Sequence, residues 1–284
     1  MDAALSAYLR RLGFSSAPAP PTLDTLVALH RAHLATIPYE NLGIMLGSPP
    51  SADVTDTVER IAATGRAGYC FHHNGAFEAL LAALGFRVSR RHGHVWTDEA
   101  HRWETSLNHL VLVVDDLPTA ANPHGRWWVD VGLGDGFVDP LPLVAGRHDQ
   151  DGFVFDLDNV SSGRWSFRHD PLGSFAGVEV SDRPIEVAAA HELLSTGPDS
   201  HFTRFLVVQR QDARGTHTLR GCVLSLVRPG RSQVVAELTS YDAWRAALAD
   251  PLGLPLDDVD PVDLADLFDR CLAAHAAWVA AGRR

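Results

Sequence analysis

Residues 65–86, GRAGYCFHHNGAFEALLAALGF, are the stretch in which a loop of small residues becomes an apolar-patterned helix. Apolar side chains recur there at helical spacing, at Phe77, Leu80, Leu81 and Leu84, and Gly85 provides a C-terminal stop. Cys70 therefore falls in the first turn, whose N–H groups and positive dipole end stabilise a thiolate. Position alone still leaves a buried thiol as the commoner fate of a free cysteine.

The chain around this helix changes from helical to extended patterns. Upstream, Thr22 is the predicted N-cap of a helix that Pro38 ends. Downstream, apolar or aromatic runs predict strands at 109–114, 126–133, 152–157, 163–169, 201–210 and 216–228, with a helical patch at 185–194 and a closing helix after Asp260. Helices first, then strands, then a mixed segment indicate an α+β fold rather than alternating β-α-β units.

Composition excludes several classes of function. The 284 residues carry a net charge of −11 and no basic stripe, which argues against a nucleic-acid partner. All 24 basic residues are arginine, so Schiff-base chemistry, a lysine nucleophile and a P-loop lysine are excluded. Three widely spaced cysteines give no disulfide framework, and no apolar run is long enough for a membrane span. The first residues do not resemble a secretory signal, and we expect a cytoplasmic protein.

A nucleophilic cysteine needs a base, and the base needs an orienting group. Cys271 and Cys222 lie in apolar patterns and are interpreted as core. His109 begins one predicted strand and Asp130 lies within the next. If the intervening loop spans 115–125, the two residues are directly opposite in an antiparallel hairpin, or one position off, with Cβ atoms about 5 Å apart.

Several separated blocks resemble the arylamine N-acetyltransferase family, in the same order along nearly the whole chain. The block RAGYCFHHN (66–74) resembles its cysteine signature, and LNHLVLVV (107–114) and WWVDVGLG (127–134) resemble its histidine and aspartate blocks. Further matching blocks are YLRRLGF (8–14), residues 21–47, STGPDSHFTRFLVV (195–208) and HTLRG (217–221). Blocks in this number and order are more specific than any single short motif.

The resemblance implies both a fold and a reaction. It implies a helical bundle carrying the cysteine (1–85), an antiparallel β-barrel carrying the histidine and aspartate (86–194) and an α/β lid (195–284), with a cysteine-protease-like core. The implied triad is Cys70, His109 and Asp130. It would move an acetyl group from acetyl-coenzyme A to an arylamine or arylhydrazine by a ping-pong route through an acyl-cysteine. No bound cofactor or metal is expected.

Further site residues are assigned by position. Tyr39, Phe71, Leu133 and Phe202 occupy positions that line the substrate pocket in the family, although each could equally be core. Arg66 and Glu40 are predicted to form a buried ion pair that braces the active-site loop, with two solvated charges as the alternative. The backbone N–H of Cys70 is the predicted oxyanion donor.

The chain departs from the family pattern at three positions. His72 stands where the family usually has glutamate, Ala67 replaces a typical glycine, and Leu133 replaces a typical phenylalanine. Loss of that carboxylate removes a negative charge that would oppose thiolate formation. Cys70, His72 and His73, with His92 and His94 nearby, also invite a metal interpretation, but zinc-site spacings are not present.

Three alternatives use the same residues differently. An amide synthase of the same fold would take a polyketide or peptide thioester from an acyl carrier protein and join it to an amine. A cysteine hydrolase would use water as the acceptor. A non-enzymatic binding module predicts that Cys70 is no more reactive than Cys222 or Cys271.

Overall fold

Helices dominate the first 83 residues. The computed structural model describes residues 1–17 and 20–283, and its first elements are α1 (Ala3–Arg11), α2 (Leu23–Thr36), β1 (Tyr39–Glu40), α3 (Leu42–Met45), α4 (Val54–Thr64) and α5 (Cys70–Ala83). Thr22 caps α2 by accepting a hydrogen bond from the Thr25 N–H, as predicted. Gly85, just beyond α5, has φ +88°, a conformation that favours glycine at a helix end.

The helical bundle is stabilised by the apolar stripe that the sequence predicts on α5. Phe77, Leu80 and Leu81 are fully buried with Leu26 and Leu29 of α2. Each such side chain contributes about 1.5–3 kcal/mol through burial. This packing holds the start of α5, and therefore Cys70, against the sheet that follows.

Eight antiparallel strands form the middle of the molecule as a nearly closed barrel. They are β2 (Arg87–Trp96), β3 (His109–Asp115), β4 (Trp127–Val129), β5 (Leu141–Pro142), β6 (Gly146–Gln150), β7 (Phe153–Asp158), β8 (Trp165–Arg168) and β9 (Gly177–Ser181). The spatial order is β5-β4-β3-β2-β9-β8-β7-β6. The strand predicted over 126–133 is shorter than expected, because the chain leaves the ladder at Asp130 to turn through a glycine-rich segment.

The last third combines helices with a five-stranded sheet. Its elements are α6 (Val187–Thr196), β10 (Val207–Asp212), β11 (Gly215–Arg220), β12 (Val223–Arg228), β13 (Arg231–Glu237), α7 (Tyr241–Ala249) and α8 (Pro261–Ala280). The sheet order is β1-β10-β11-β12-β13, so a strand from the N-terminal region forms one edge. Asp260 caps α8 as predicted, accepting from the Val262 N–H.

The predicted fold class, a helical bundle, an antiparallel β-barrel and an α/β lid, is confirmed. The domain boundaries at 85/86 and 194/195 stay a prediction. In the described ranges, no helix is both long and apolar enough to cross a membrane.

Candidate active site

Cys70 is the first residue of α5 and is 3% exposed. Its Sγ lies 3.5 Å from the main-chain carbonyl oxygen of Asn108, the residue before His109. Gly132 packs on the other side, where an added Cβ would lie 2.8 Å from Cys70 Cα. A glycine at 132 is therefore needed for the loop after β4 to approach the start of α5.

His109 and Asp130 form a buried pair beside the thiol. His109 Nε2 donates to Asp130 Oδ2 at 2.7 Å, and the two side chains are 2% and 0% exposed. Burial lowers the pKa of His109, but the Asp130 carboxylate and then the Cys70 side chain raise it by more, so that the pKa of His109 reaches about 10. Because Nε2 bonds to Asp130, Nδ1 is the ring nitrogen that can hydrogen-bond to the Cys70 side chain.

Four donors surround the Asp130 carboxylate. Oδ2 also accepts from the Trp128 indole N–H at 3.1 Å, whereas Oδ1 accepts from Asn74 Nδ2 at 2.7 Å and from the Gly132 N–H at 3.0 Å. A buried carboxylate is costly unless such partners compensate for lost water. The four donors therefore compensate the Asp130 carboxylate for its lost water and fix its orientation.

Asn74 and His30 support this pair from the helices, and the sequence analysis missed both. Asn74, one turn after Cys70, donates to the Leu110 carbonyl at 2.6 Å and accepts from the Val131 N–H at 3.0 Å. His30 Nε2 accepts from the Asp130 N–H at 3.2 Å, while Nδ1 donates to the Val138 carbonyl at 2.8 Å. Asn74 could have been identified from the sequence, because a polar residue one helical turn after the cysteine lies on the same face of α5.

The predicted register, with His109 and Asp130 directly opposite or one position off, is wrong, because the two residues are two positions apart. β3 and β4 pair Leu112 with Val129, so the ladder continued by one residue would set Asp130 opposite Val111. Because two residues are one full period of a strand, the shift leaves the side chain of Asp130 on the same face as that of His109. The contact forms diagonally, at the point where β4 has ended.

Three of the four predicted pocket residues lie together. Phe71 and Phe202 are buried in one apolar cluster with Cys70, and Tyr39 packs against it. Burial raises the pKa of Tyr39, and the nearby Cys70 side chain raises it further. Leu133 packs instead in the barrel core, with Phe137 and other apolar side chains. The substrate-binding roles of all four stay a prediction.

The predicted ion pair between Glu40 and Arg66 is not formed. Arg66 pairs with Asp258, which lies between α7 and α8, whereas Glu40 Oε2 accepts from the Leu42 N–H at 2.5 Å. Burial raises the pKa of Glu40, and the nearby Arg66 charge opposes that shift without direct contact. Asp258 is 192 positions from Arg66 along the chain, and no local sequence pattern predicts that the two residues pair.

A cavity of about 790 Å³ lies between the lid sheet and α8. Its wall includes Thr203, directly after Phe202, and three arginines, Arg204, Arg220 and Arg270. The Arg220 charge is close enough to Tyr39 to lower its pKa, against the dominant effect of burial. Cys70 and the aromatic side chains around it are not among the residues that line the cavity, and Thr203 connects the two along the chain.

Three of the histidines that prompted a metal interpretation have other partners. His72 and His73 hydrogen-bond to main-chain carbonyls of Pro50 and Gly68, and His94 Nε2 donates to the carbonyl of His101. Across residues 1–17 and 20–283, no three or more His, Cys, Asp or Glu side chains are grouped to hold a metal ion.

A helix-borne cysteine beside a buried histidine–aspartate pair on an antiparallel sheet places the protein among α+β enzymes with a cysteine-protease-like core. Residues 22–260 match the N-acetyltransferase family model. The chain belongs to the arylamine N-acetyltransferase family.

Individual relatives agree over nearly the full chain. The arylamine N-acetyltransferase of Mycolicibacterium smegmatis is 32% identical, with 97% of this chain and 98% of that protein covered. An X-ray structure of a Mycobacterium smegmatis N-arylamine acetyltransferase variant superposes with a TM-score of 0.83 at 28% identity, covering 96% and 99% of the two chains. The Mycobacterium marinum arylamine N-acetyltransferase in complex with CoA gives 0.81 at 28% identity, covering 94% and 98%.

Proposed function

We propose that the protein transfers an acetyl group from acetyl-coenzyme A to an arylamine or arylhydrazine through an acyl-Cys70 intermediate. The observation that carries the proposal is the convergence of a thiol at a helix N-terminus with a hydrogen-bonded His109–Asp130 pair. A buried thiol of purely structural use needs no neighbouring histidine bonded to a buried carboxylate that three further donors hold in place. Family membership supports acetyl transfer as the reaction.

In the first half-reaction, His109 Nδ1 holds the Cys70 proton, either taken during the attack or already present in a thiolate–imidazolium pair, and Asp130 stabilises the imidazolium. Cys70 Sγ attacks the carbonyl carbon of the thioester and forms a tetrahedral intermediate. The carbon–sulfur bond to coenzyme A then breaks, and its thiolate takes the proton from His109. The product is an S-acetyl-Cys70 enzyme and free coenzyme A.

In the second half-reaction, the amine nitrogen attacks the carbonyl carbon of S-acetyl-Cys70. His109 accepts the amine proton, and the bond from that carbon to Cys70 Sγ breaks to release the amide. Both tetrahedral intermediates carry an oxyanion. The Cys70 N–H, which as the first residue of α5 has no intrahelical acceptor, is the proposed donor to it.

The cavity beside Phe202 supports an extended donor. Its apolar wall suits the thioester arm, and Arg204, Arg220 and Arg270 offer positive charge to the phosphate groups of coenzyme A. Tyr39, Phe71 and Phe202 are the proposed walls of the acceptor site, where aromatic faces suit an arylamine ring.

Intact-mass measurement after incubation with acyl-coenzyme A thioesters tests the proposal. We expect one acetyl adduct on the native protein, its discharge by an aromatic amine, and no adduct on Cys70→Ala. Spontaneous loss of the adduct in water alone, as fast as with amine, would instead favour a hydrolase.

An amide synthase with a carrier-protein thioester as donor is the alternative that the same experiment separates. It predicts no adduct with any coenzyme A thioester and an adduct when the acyl group is presented on an acyl carrier protein. The chemistry at Cys70, His109 and Asp130 would be unchanged, and only the donor would differ.

A further inference from the structure

The first turn of α5 is capped by a histidine ring. Tyr69 is the N-cap residue, and its N–H donates to His72 Nδ1 at 3.2 Å. The opposite nitrogen, His72 Nε2, lies 3.3 Å from the Pro50 carbonyl oxygen and donates to it. Both bonds are satisfied only by the neutral tautomer that carries its proton on Nε2.

Gly68 makes room for this ring. An added Cβ at Gly68 would lie 2.5 Å from His72 Nδ1, and the backbone there has φ +120°. Such a contact is shorter than atoms tolerate, and the conformation favours glycine. The glycine two residues before Cys70 and the histidine two residues after it are therefore structurally matched.

The His72 ring also contacts two aromatic side chains, those of Tyr69 and His191. Tyr69 and His72 meet edge to face with centroids 5.1 Å apart, and His191 of α6 meets His72 edge to face at 5.3 Å. The Tyr69 hydroxyl is 2.8 Å from His191 Nδ1. His72 thus connects the residue before the nucleophile to α6 as well as to Pro50.

We propose that His72 is a positioning residue for Cys70, acting through its bond to the Tyr69 N–H. This bond fixes the peptide that leads into Cys70, and so holds Sγ beside His109 and the Asn108 carbonyl. The inference rests on the proposed function in assigning Cys70 as the nucleophile.

The surroundings keep the imidazole neutral. Burial lowers the pKa of His72 well below its usual range, and the charges of Arg60, His191 and His73 act in the same direction, while the Pro50 carbonyl opposes them. An imidazolium could not accept the Tyr69 N–H. The cap is therefore present at neutral pH, and it adds no negative charge beside the thiol, unlike a glutamate at this position.

Alkylation of Cys70 by iodoacetamide, followed by intact mass between pH 6 and 9, tests the role directly. We expect His72→Leu, which removes the acceptor, to slow alkylation at pH 7 by about tenfold, as expected for loss of one buried hydrogen-bond partner. His72→Gln restores an acceptor of capping-box type and should stay within about twofold of the native rate.

A cap on a neighbouring helix provides the matched control. Asp53 caps α4 by accepting from the Thr55 and Asp56 N–H groups. Asp53→Ala should lower the melting temperature, as loss of a cap does, and leave the alkylation profile of Cys70 unchanged. If His72→Leu fails to fold, His72→Ala, which has no side-chain acceptor, takes its place with the same expected slowing.

Two results would overturn the inference. In the first, the Leu or Ala variant loses thermal stability like Asp53→Ala but alkylates at the native rate, and His72 is then ordinary core. In the second, His72→Gln is as slow as His72→Leu, and the acceptor is then not the cause. Because alkylation needs neither acyl donor nor amine, failure of acetyl loading in the native protein would count against the proposed function and not against the role of His72.

Discussion

Asp130 accepts a hydrogen bond from His109 across a hairpin in which the two residues do not face each other. The ladder pairs Leu112 with Val129 and stops there, so Asp130 lies just past the end of its strand. A carboxylate in that position can turn toward several donors at once, which a residue held in the ladder could not. The end of β4 thus creates the pair on which the proposed chemistry depends.

Replacing this carboxylate with an amide should disable the site without unfolding it. Asp130→Asn removes the charge that raises the pKa of His109, so that pKa should fall and the imidazolium should be lost at neutral pH. We expect acetyl transfer to fall by about 10²–10⁴-fold, as in other triads that lose the charge of their aspartate. The loss is measured as the decrease in turnover and in the rate of Cys70 alkylation.

Asp170→Asn is the matched control for Asp130→Asn. Asp170 is also a buried carboxylate that accepts main-chain N–H groups, from Val154 and Leu172, but it is far along the chain from the proposed triad. The Asp170→Asn substitution should lower the free energy of unfolding and leave the rate of Cys70 alkylation near the native value. Equal loss of alkylation in both variants would mean that Asp130 acts only through stability.

Adding one methyl group at Gly132 should displace the nucleophile. The Cβ of Gly132→Ala would lie 2.8 Å from Cys70 Cα and 3.0 Å from the Cys70 carbonyl oxygen, both backbone atoms that cannot swing away. We expect a loss of acetyl transfer of at least about tenfold with a folded protein, since overpacking typically costs about 1–3 kcal/mol. Thermal melting and turnover together measure it.

Gly75→Ala provides the comparison within α5, the helix that Gly132 packs against. Its Cβ would meet only Val54 Cγ2, at 3.3 Å, and alanine is favoured over glycine in a helix by about 1 kcal/mol. Activity should therefore remain near the native level. Equal losses in Gly75→Ala and Gly132→Ala would show that α5 tolerates no added volume anywhere.

Acid should destabilise the fold through its buried histidines. The Tyr8 hydroxyl bonds to His33, His33 Nε2 is 2.7 Å from His73 Nδ1, and His73 Nε2 donates to the Gly68 carbonyl at 3.1 Å. Burial lowers the pKa of His33 well below its usual range and that of His73 to about 4. All three of these hydrogen bonds can form only while both imidazole rings are neutral.

The unfolded chain binds protons at these histidines near pH 6.5, whereas the folded protein does not until lower pH. As the pH falls below about 6.5, the free energy of unfolding should decrease by up to about 1.4 kcal/mol per pH unit for each such histidine, and the contribution of His73 should be exhausted near pH 4. Urea denaturation at several pH values measures the slope. His73→Gln should make it shallower and exposed His124→Gln should not; equal slopes in these two variants would contradict the assignment.

Only one of the three cysteines should react at neutral pH. Burial raises the pKa of Cys222, and burial together with Cys222 raises that of Cys271 to about 11. Both lie in the apolar core of the lid. We expect a single alkylation at pH 7, absent from Cys70→Ala, and three after unfolding. Comparable labelling of all three in the folded protein would favour a binding module over an enzyme.

Local patterns predicted many of the elements, because helix spacing, caps and stops are properties of short segments. They did not predict β2 or β13, and the strand predicted over 201–210 begins only at Val207. The helix after Cys70, the caps at Thr22 and Asp260 and the core placement of Cys222 and Cys271 all follow from neighbouring residues. The same holds for the order of helices and strands, which sets the fold class.

Partners distant along the chain could not be predicted in the same way. Arg66 pairs with Asp258 instead of Glu40, a choice fixed by how the lid packs on the bundle. The hairpin register was wrong because the ladder begins with Val114 opposite Trp127, so that the connection spans 115–126 and not 115–125. The role proposed for His72 also needed the structure, since only the position of Gly68 shows the space for its ring.

The pairing of β1 with β10 joins residues 39–40 to residues 207–212 in one sheet. During synthesis, a nascent chain that has emerged only as far as the barrel contains the cysteine, the histidine and the aspartate but not the strand that completes this sheet. Phe202 and most of the cavity wall are also still to come. A growing polypeptide would therefore carry the Cys70 thiol through about half of translation, from residue 70 to residue 212 of 284, before it had an organised pocket for a thioester.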